Sequence, residues 1–509
     1  MALACKYDGA LFLIQLRKIN LRILFATSEA YPLIKTGGLA DVSGALPAAL
    51  QALGHEVTIL LPAYPDVLEQ CDALRPLASL EHLPIVGKVD LLHGEMPESK
   101  VPVILLKHDT LYARAGNPYL DAHGNDWQDN PLRFATLAHV AAILSCDDSP
   151  LQFRPDVVHC NDWQTGLTPA YLHFKRSQRP TMQSAKSLMS IHNLAFQGNF
   201  SAHWVTQLGL PQYAYNLNGV EYYGQFSFLK AGLFYADKLA TVSPSYANEI
   251  QTEAFGFGMQ GLLQSRKNDL TGILNGLDTQ EWNPANDPLL PAHYTASKLA
   301  GKEKVKLALQ AQMGLKVDAK LPLLGVVSRL THQKGLDLLL NIADELLVQY
   351  PLQLVLLGAG SASMEDGFKA LANRYPERIA CQIGYHESLS HQIMAGADIF
   401  VMPSRFEPCG LNQMYGLRYG TPPLVNKTGG LADTVTDSNE ISIKQGTATG
   451  FVMHSPDATE LKLCIARALG YFAEKRIWQQ IQRNGMNQEL GWEQSAKRYL
   501  ALYEEMLED

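Results

Sequence analysis

The sequence predicts two similar doubly wound α/β domains facing one cleft, and three observations carry that prediction. The chain has 509 residues, too many for one ordinary core, so two domains are the natural division. It opens as strand, glycine loop, helix and strand, the start of a doubly wound sheet. The pattern restarts after a cluster of turn signals over 275–288, where Asn275-Gly276, Asn283-Pro284 and Asp287-Pro288 fall together.

Taken in order, 21–27 is a short apolar run of the kind that forms a buried parallel strand. A glycine loop follows, then a small-residue helix over 42–53 that stops at Gly54, a C′ glycine, and a strand over 57–61. Another strand is expected at 101–106. The long polar loop 109–130 then carries Tyr112, Arg114, Tyr119, Asp126 and Trp127, and a loop of that length is functional or disordered more often than a plain connection. A helix is expected over 133–144. Three more short strands, 156–159, 188–191 and 239–242, run into Asn161-Asp162-Trp163, His192-Asn193 and Ser243-Pro244-Ser245. In the second half, strands at 323–327, 353–357, 398–402 and 423–425 run into Ser328-Arg329, Gly358-Ala-Gly360, the 403–408 segment and a second Gly-Gly loop. Helices are expected over 336–350, 458–475 and 492–507. Polar residues at the C-terminal ends of strands are where open α/β sheets bind ligands.

Composition narrows the function. A hydrophobic content of 47% with 18% charged residues fits a globular chain with ample apolar surface to bury. The formal net charge of −8 argues against a nucleic-acid or anionic-membrane partner. The seven cysteines show neither C-x-x-C pairs nor metal-ligand spacing, the usage of reduced thiols in a cytoplasmic protein. No run approaches the roughly 20 apolar residues of a membrane span. Residues 1–20 carry charge on both sides of a short apolar patch, with no small-residue cleavage site, so a poorly ordered leader is expected rather than a signal peptide.

Several stretches could carry chemistry. Lys35-Thr-Gly-Gly-Leu-Ala-Asp41 stands between the first strand and the first helix. Its glycines let backbone approach a ligand, the helix N-terminus behind them favours an anion, and Lys35 adds a mobile positive charge. The same seven letters return at 427–433, as a second site or a matching turn. Arg329 and Lys334, next to Gly335 and a helix start, suit a diphosphate or form a solvated pair capping that helix. Glu407 is placed to bind sugar hydroxyls or a developing cation, with Cys409 and Gly410 bringing backbone N–H groups into the same loop; the alternative is an N-terminal helix acid. Asp162 and His192 are either site groups or hydrogen-bonded strand ends. Gly358-Ala-Gly360 lacks the third glycine of a dinucleotide fingerprint, since Ser363 stands there, and reads as a tight strand exit.

In their order along the chain, Lys35-Thr-Gly-Gly-Leu-Ala-Asp-Val42, Asn161-Asp-Trp-Gln-Thr-Gly166, Ile191-His-Asn193, Thr241-Val-Ser-Pro244, Asn275-Gly276, Ser328-Arg-Leu-Thr-His-Gln-Lys-Gly335, Pro403-Ser-Arg-Phe-Glu-Pro-Cys-Gly410 and Lys427-Thr-Gly-Gly430 resemble the glycogen/starch synthases that use ADP-glucose. The resemblance runs from about residue 21 to the C-terminus. It implies two Rossmann-like domains of GT-B glycosyltransferase architecture, an N-terminal one over 21–274 and a nucleotide-sugar-binding one over 275–490. A final helix over 491–509 would cross back to the first domain. It implies retaining transfer of glucose from ADP-glucose to the non-reducing end of an α-1,4-glucan, without metal or cofactor. Among the residues, it implies a catalytic set of Glu407, His192, Arg329, Lys334 and Asp162. Arg329 and Lys334 would hold the diphosphate, His192 and Glu407 would flank the glucose, and Asp162 would help position it. Lys35, Gly37, Gly38, Asp41, Asn275, Cys409 and Gly410 would contact the nucleotide sugar, Tyr385 would lie against the adenine, and Thr428, Gly429 and Gly430 would meet the distal phosphate or glucose.

Many related retaining transferases carry a second glutamate eight positions after the first; here that position is Tyr415. A non-catalytic paralogue would be expected to lose Lys35, Arg329, Lys334 or Glu407, and all four are present. A glucan phosphorylase would need pyridoxal phosphate on a lysine.

Overall fold

The computed structural model describes residues 20–508. The expectation of a leader over 1–20 lies outside them except for Asn20. Two sheets organise the chain. The first is nine-stranded, and its strands in chain order are β1 (Arg22–Ala26), β2 (Glu56–Pro62), β3 (Asp72–Leu83), β4 (Gly87–Glu95), β5 (Pro102–Lys107), β6 (Val157–Asn161), β7 (Lys186–Ile191), β8 (Lys238–Thr241) and β9 (Leu270–Gly272). Their spatial order is β9-β8-β7-β6-β1-β2-β5-β4-β3. The strands from β9 to β5 run parallel, and β3 and β4 add an antiparallel ribbon at one edge. Apart from their end residues the strands from β8 to β5 are mostly apolar and buried, as strands covered by helices on both faces are, whereas the edge strand β9 is partly exposed.

The second sheet is six-stranded and parallel. It contains β10 (Leu323–Val327), β11 (Gln353–Gly358), β12 (Ile379–Ile383), β13 (Ile399–Met402), β14 (Pro423–Asn426) and β15 (Phe451–Met453), in the order β12-β11-β10-β13-β14-β15. In each sheet the strand order reverses beside the first strand, between β1 and β6 and between β10 and β13. Loops leaving neighbouring strands diverge there, which opens a crevice at the carboxyl ends.

Helix α1 (Gly38–Ala52) begins four residues before the position expected from the sequence, with Gly37 as its extended N-cap and Gly38 as its first residue. Gly54 ends it with φ +95°, as a C′ glycine does. The helix expected over 458–475 runs over Ala458–Ala473, and after Glu474 a further helix, Lys475–Met486, follows that was not expected. The final helix, α2 (Trp492–Glu508), packs against the first sheet's layer rather than the second's. There Tyr503 Oη meets His159 Nδ1 at 2.8 Å, and Ser495 donates to the Leu274 carbonyl at 2.5 Å. No described helix is long and apolar enough to cross a membrane.

Candidate active site

Both crevices open into one cleft of about 1480 Å³, lined from the first sheet by the loops after β1, β6 and β7 and from the second by those after β10, β12 and β13. Lys35, Gly37, Gly38, Asp41, Asp162, His192, Asn275, Arg329, Lys334, Tyr385, Glu407, Cys409 and Gly410 all line it. Thr428, Gly429 and Gly430 do not.

On the second sheet's side, β10 exits into Arg329 and Lys334 and β13 into Glu407. Glu407 is buried and its Oε2 accepts from Lys334 Nζ at 2.5 Å and Ser404 Oγ at 3.1 Å. The two loops are stitched together: Arg405 N donates to the Gln333 carbonyl at 2.8 Å, and the Arg405 guanidinium grips Asp337 at 2.7 Å. A Cβ on Gly335, whose φ is +68°, would lie 2.1 Å from the Pro403 carbonyl, so only glycine permits this approach. Arg329 is exposed on the cleft wall and makes no ion pair among the described residues. One cation is therefore engaged by the carboxylate and one faces the cleft free. Burial pushes the Cys409 thiol up to about 12, so it remains an un-ionised side chain whose loop offers backbone.

Across the cleft, Asp162 adopts φ +54° at the end of β6, which turns its carboxylate toward the end of β7. It accepts from His192 N at 2.7 Å. Burial pushes its carboxyl up to about 7, against these donors and with Glu29 adding like charge. His192 is pushed down to about 4 by burial and stays neutral. Asn161 donates its amide to the Ala26 carbonyl, so its Oδ1 accepts from His192 Nε2 at 2.9 Å and fixes the tautomer. Asn275 leaves its buried Oδ1 without a partner beside the cleft.

The Lys35 loop holds a carboxylate of its own chain. Glu29 accepts from Thr36 N at 2.5 Å, Thr36 Oγ1 at 2.8 Å, Gly37 N at 3.2 Å and Tyr119 Oη at 2.5 Å. Lys35 pairs with Asp41 at 2.6 Å. A Cβ built on Gly37 or Gly38 meets no protein atom within 4 Å, so these glycines leave space that the chain does not fill. The 109–130 loop is ordered through Tyr119 on Glu29 and Arg114 on Asp129 at 2.6 Å, and Asn117, Tyr119 and Asp126 reach the cleft.

The echo at 427 has the opposite environment. A Cβ on Gly429 or Gly430 would lie 2.0 or 2.2 Å from the carbonyls of Glu407 or Cys409. Gly429 N donates to Glu249 Oε1 at 2.8 Å and Gly430 N to the Glu407 carbonyl at 3.2 Å. Glu249 belongs to the helix Pro244–Glu249, which follows β8, so a carboxylate from the first sheet's side occupies the second loop. Ser243 donates to the Pro408 carbonyl at 2.7 Å and Ser245 to Asp433 at 2.7 Å along the same seam.

Sequence reasoning missed Glu29 and Glu249. Glu29 follows β1 and fits the pattern of a polar residue at a strand end that singled out Asp162. Glu249 lies 180 residues from Gly429, and nothing local marks it. Tyr415 lies face to face with Trp282, centroids 3.7 Å apart, so it fills its position by stacking. Among the described residues, Glu281, Glu387 and His391 are the group able to hold a metal ion.

Comparison with known proteins agrees with this geometry. A starch synthase catalytic domain family matches residues 22–265, and glycosyl transferases group 1 matches 312–476. The chain is 52% identical to a glycogen synthase of Dechloromonas aromatica, over 96% of this chain and 99% of the relative. It is 50% identical to one of Nitrosomonas eutropha, over 95% and 96%. Among solved structures, the catalytic domain of starch synthase IV from Arabidopsis thaliana bound to ADP and acarbose superposes with a TM-score of 0.86 at 31% identity, covering 96% of this chain and all of that one (100%).

Proposed function

This chain belongs to the glycogen synthase family, and from that membership we propose how its cleft works. It is a GT-B glucosyltransferase of glycogen synthesis. The donor is ADP-glucose and the acceptor is the non-reducing end of an α-1,4-glucan. The bond from the anomeric carbon to the diphosphate oxygen breaks, and a bond to the acceptor hydroxyl oxygen forms on the same face.

The observation that carries this proposal is the Lys334–Glu407 pair at 2.5 Å with the unpaired Arg329 beside it, across one cleft from Lys35. Departure of ADP leaves negative charge on the diphosphate and positive charge on the sugar ring. Arg329 and Lys334 take the first and Glu407 the second; losing one such preorganised group typically costs about 10²–10³ in rate. Neutral His192 offers a hydrogen bond rather than a proton, and Asp162 orients the glucose beside it. The leaving phosphate accepts the acceptor's hydroxyl proton. Trapping a glucosyl–enzyme adduct on Asp162 or Glu407 would overturn that step.

Tyr385, 82% exposed on the cleft wall, offers a ring face on which the adenine would stack. Asn117, Tyr119 and Asp126 offer polar and aromatic groups to a glucan. The described cysteines are free thiols, which supports the cytoplasm as the compartment. Initial rates on glycogen primer with ADP-glucose and UDP-glucose, each with and without EDTA, test the proposal. ADP-glucose is expected to be strongly preferred and EDTA to have no effect; equal use of UDP-glucose, or loss of activity with EDTA, refutes it. In the same assay Lys35→Ala is expected chiefly to raise KM for the donor and Glu407→Ala chiefly to lower kcat.

A further inference from the structure

At the rim of the cleft three ligand-type side chains converge. Glu281 comes from the segment joining the two sheets, and Glu387 and His391 come from the helix Glu387–Gly396, four residues apart and so on one face. Their ligand atoms all lie within 4.8 Å of one another. The His391 side chain is 2% exposed, yet its Nε2 has no hydrogen-bond partner.

The other ring nitrogen explains the state of this one. His391 Nδ1 lies 2.8 Å from Asp287 Oδ2, which also accepts from Tyr419 Oη at 2.6 Å. Asp287 is a buried acceptor, so in the neutral imidazole the hydrogen sits on Nδ1 and Nε2 presents its lone pair. That lone pair points toward Glu387 Oε1, 3.4 Å away. Trp282 lies against the ring face with centroids 3.8 Å apart and an 18° interplanar angle, which fixes the ring plane. In that tautomer Nε2 and the two carboxylates are acceptors facing one another.

A buried carboxylate on one imidazole nitrogen, with the other nitrogen open beside two more carboxylates, is the arrangement that orients histidine in transition-metal centres. We propose that Glu281, Glu387 and His391 form a binding site for a divalent transition-metal ion of the zinc class, separate from the groups assigned to glucosyl transfer. The imidazole favours such an ion over magnesium or calcium, which take oxygen ligands. Tetrahedral bonds of about 2.0–2.2 Å put ligand atoms roughly 3.4 Å apart. Glu281 and Glu387 are exposed and close the remaining gap by rotation, while His391 stays fixed. A water would complete the shell.

The test is zinc titration of the chelator-treated full chain by calorimetry, with cobalt(II) as an optical probe. Because His391 is packed under Trp282 and its removal could unfold the site, the variants are Glu281→Gln and Glu387→Gln, both at exposed positions. One zinc per chain is expected, with affinity lowered at least tenfold in each variant while the metal-free melting temperatures stay together. Cobalt should give visible ligand-field absorption that both variants lose and magnesium does not displace. No saturable zinc binding would overturn the proposal. Equal affinity in wild type and the double variant would overturn it too, since the ion would then sit elsewhere.

Discussion

Asp162 should destabilise the protein it serves, and Asp162→Asn should make the chain more stable and less active. The carboxyl is pushed from 3.8 up to about 7, first by burial. At about 1.4 kcal/mol per pH unit, that is roughly 4 kcal/mol held against the folded state once the group is ionised. Asparagine keeps an oxygen for the His192 N–H that Asp162 accepts at 2.7 Å. It also tolerates the left-handed backbone at φ +54°. Its added NH₂ is buried, and leaving it without a partner costs about 1–3 kcal/mol. The net gain at pH 8 is therefore about 1–3 kcal/mol, or a rise in melting temperature of roughly 2–10 °C for a domain of this size. The pH dependence identifies the cause. A raised folded pKa means that between about 4 and 7 the folded state holds a proton the unfolded state lacks, so wild-type stability from this group falls as pH rises through that window. His192, pushed down to about 4, acts in the opposite direction between about 4 and 6.5, but it is common to both proteins and cancels in their difference. The gap between variant and wild type should open from pH 5 to pH 8 while kcat falls. A variant that melts below wild type at pH 8, or a gap that is the same at both pH values, would refute the reasoning.

Two contrasts test the remaining assignments. Gly429→Ala places a Cβ 2.0 Å from the Glu407 carbonyl at a φ of +42°, and should cost about 2–4 kcal/mol in thermal melts; Gly37→Ala meets nothing within 4 Å and should cost under about 1 kcal/mol while raising KM for the donor. Arg329→Ala removes an exposed side chain without an ion pair, so the melting temperature should hold while kcat falls about 10²–10³-fold; a drop in melting temperature with kcat intact would assign Arg329 to structure.

Much of the site was legible because short parallel strands end in polar residues. Asp162, His192, Arg329, Lys334 and Glu407 each follow an apolar run, and the sheets place those ends together in one cleft. What was not legible lacked either periodicity or proximity in sequence. The ribbon of β3 and β4 was missed because β3 is mostly exposed and carries Pro76, so no apolar alternation marks it. The first turn of α1 was hidden by glycines, whose helix propensity is poor. Glu281 and His391 meet only after the chain has folded, and their grouping has no spacing to detect.

The two identical stretches show how far a motif falls short of a role. Each places a carboxylate on the backbone N–H groups after its lysine: Glu29 on Thr36 and Gly37, Glu249 on Gly429. Beyond that the environments diverge. Around Gly37 and Gly38 the space is open to the cleft, and the partly exposed Lys35–Asp41 pair can be broken at little cost. Around Gly429 and Gly430 the loop is packed on the main chain of Glu407 and Cys409. Glu249 comes from the opposite side of the cleft, and its bond to Gly429 is one peptide away from the bond between Gly430 and Glu407. Contact across the seam and the placement of the Glu407 loop therefore share one short chain of hydrogen bonds. The first loop opens on the cleft, whereas the second joins contact across the seam to the position of the Glu407 loop.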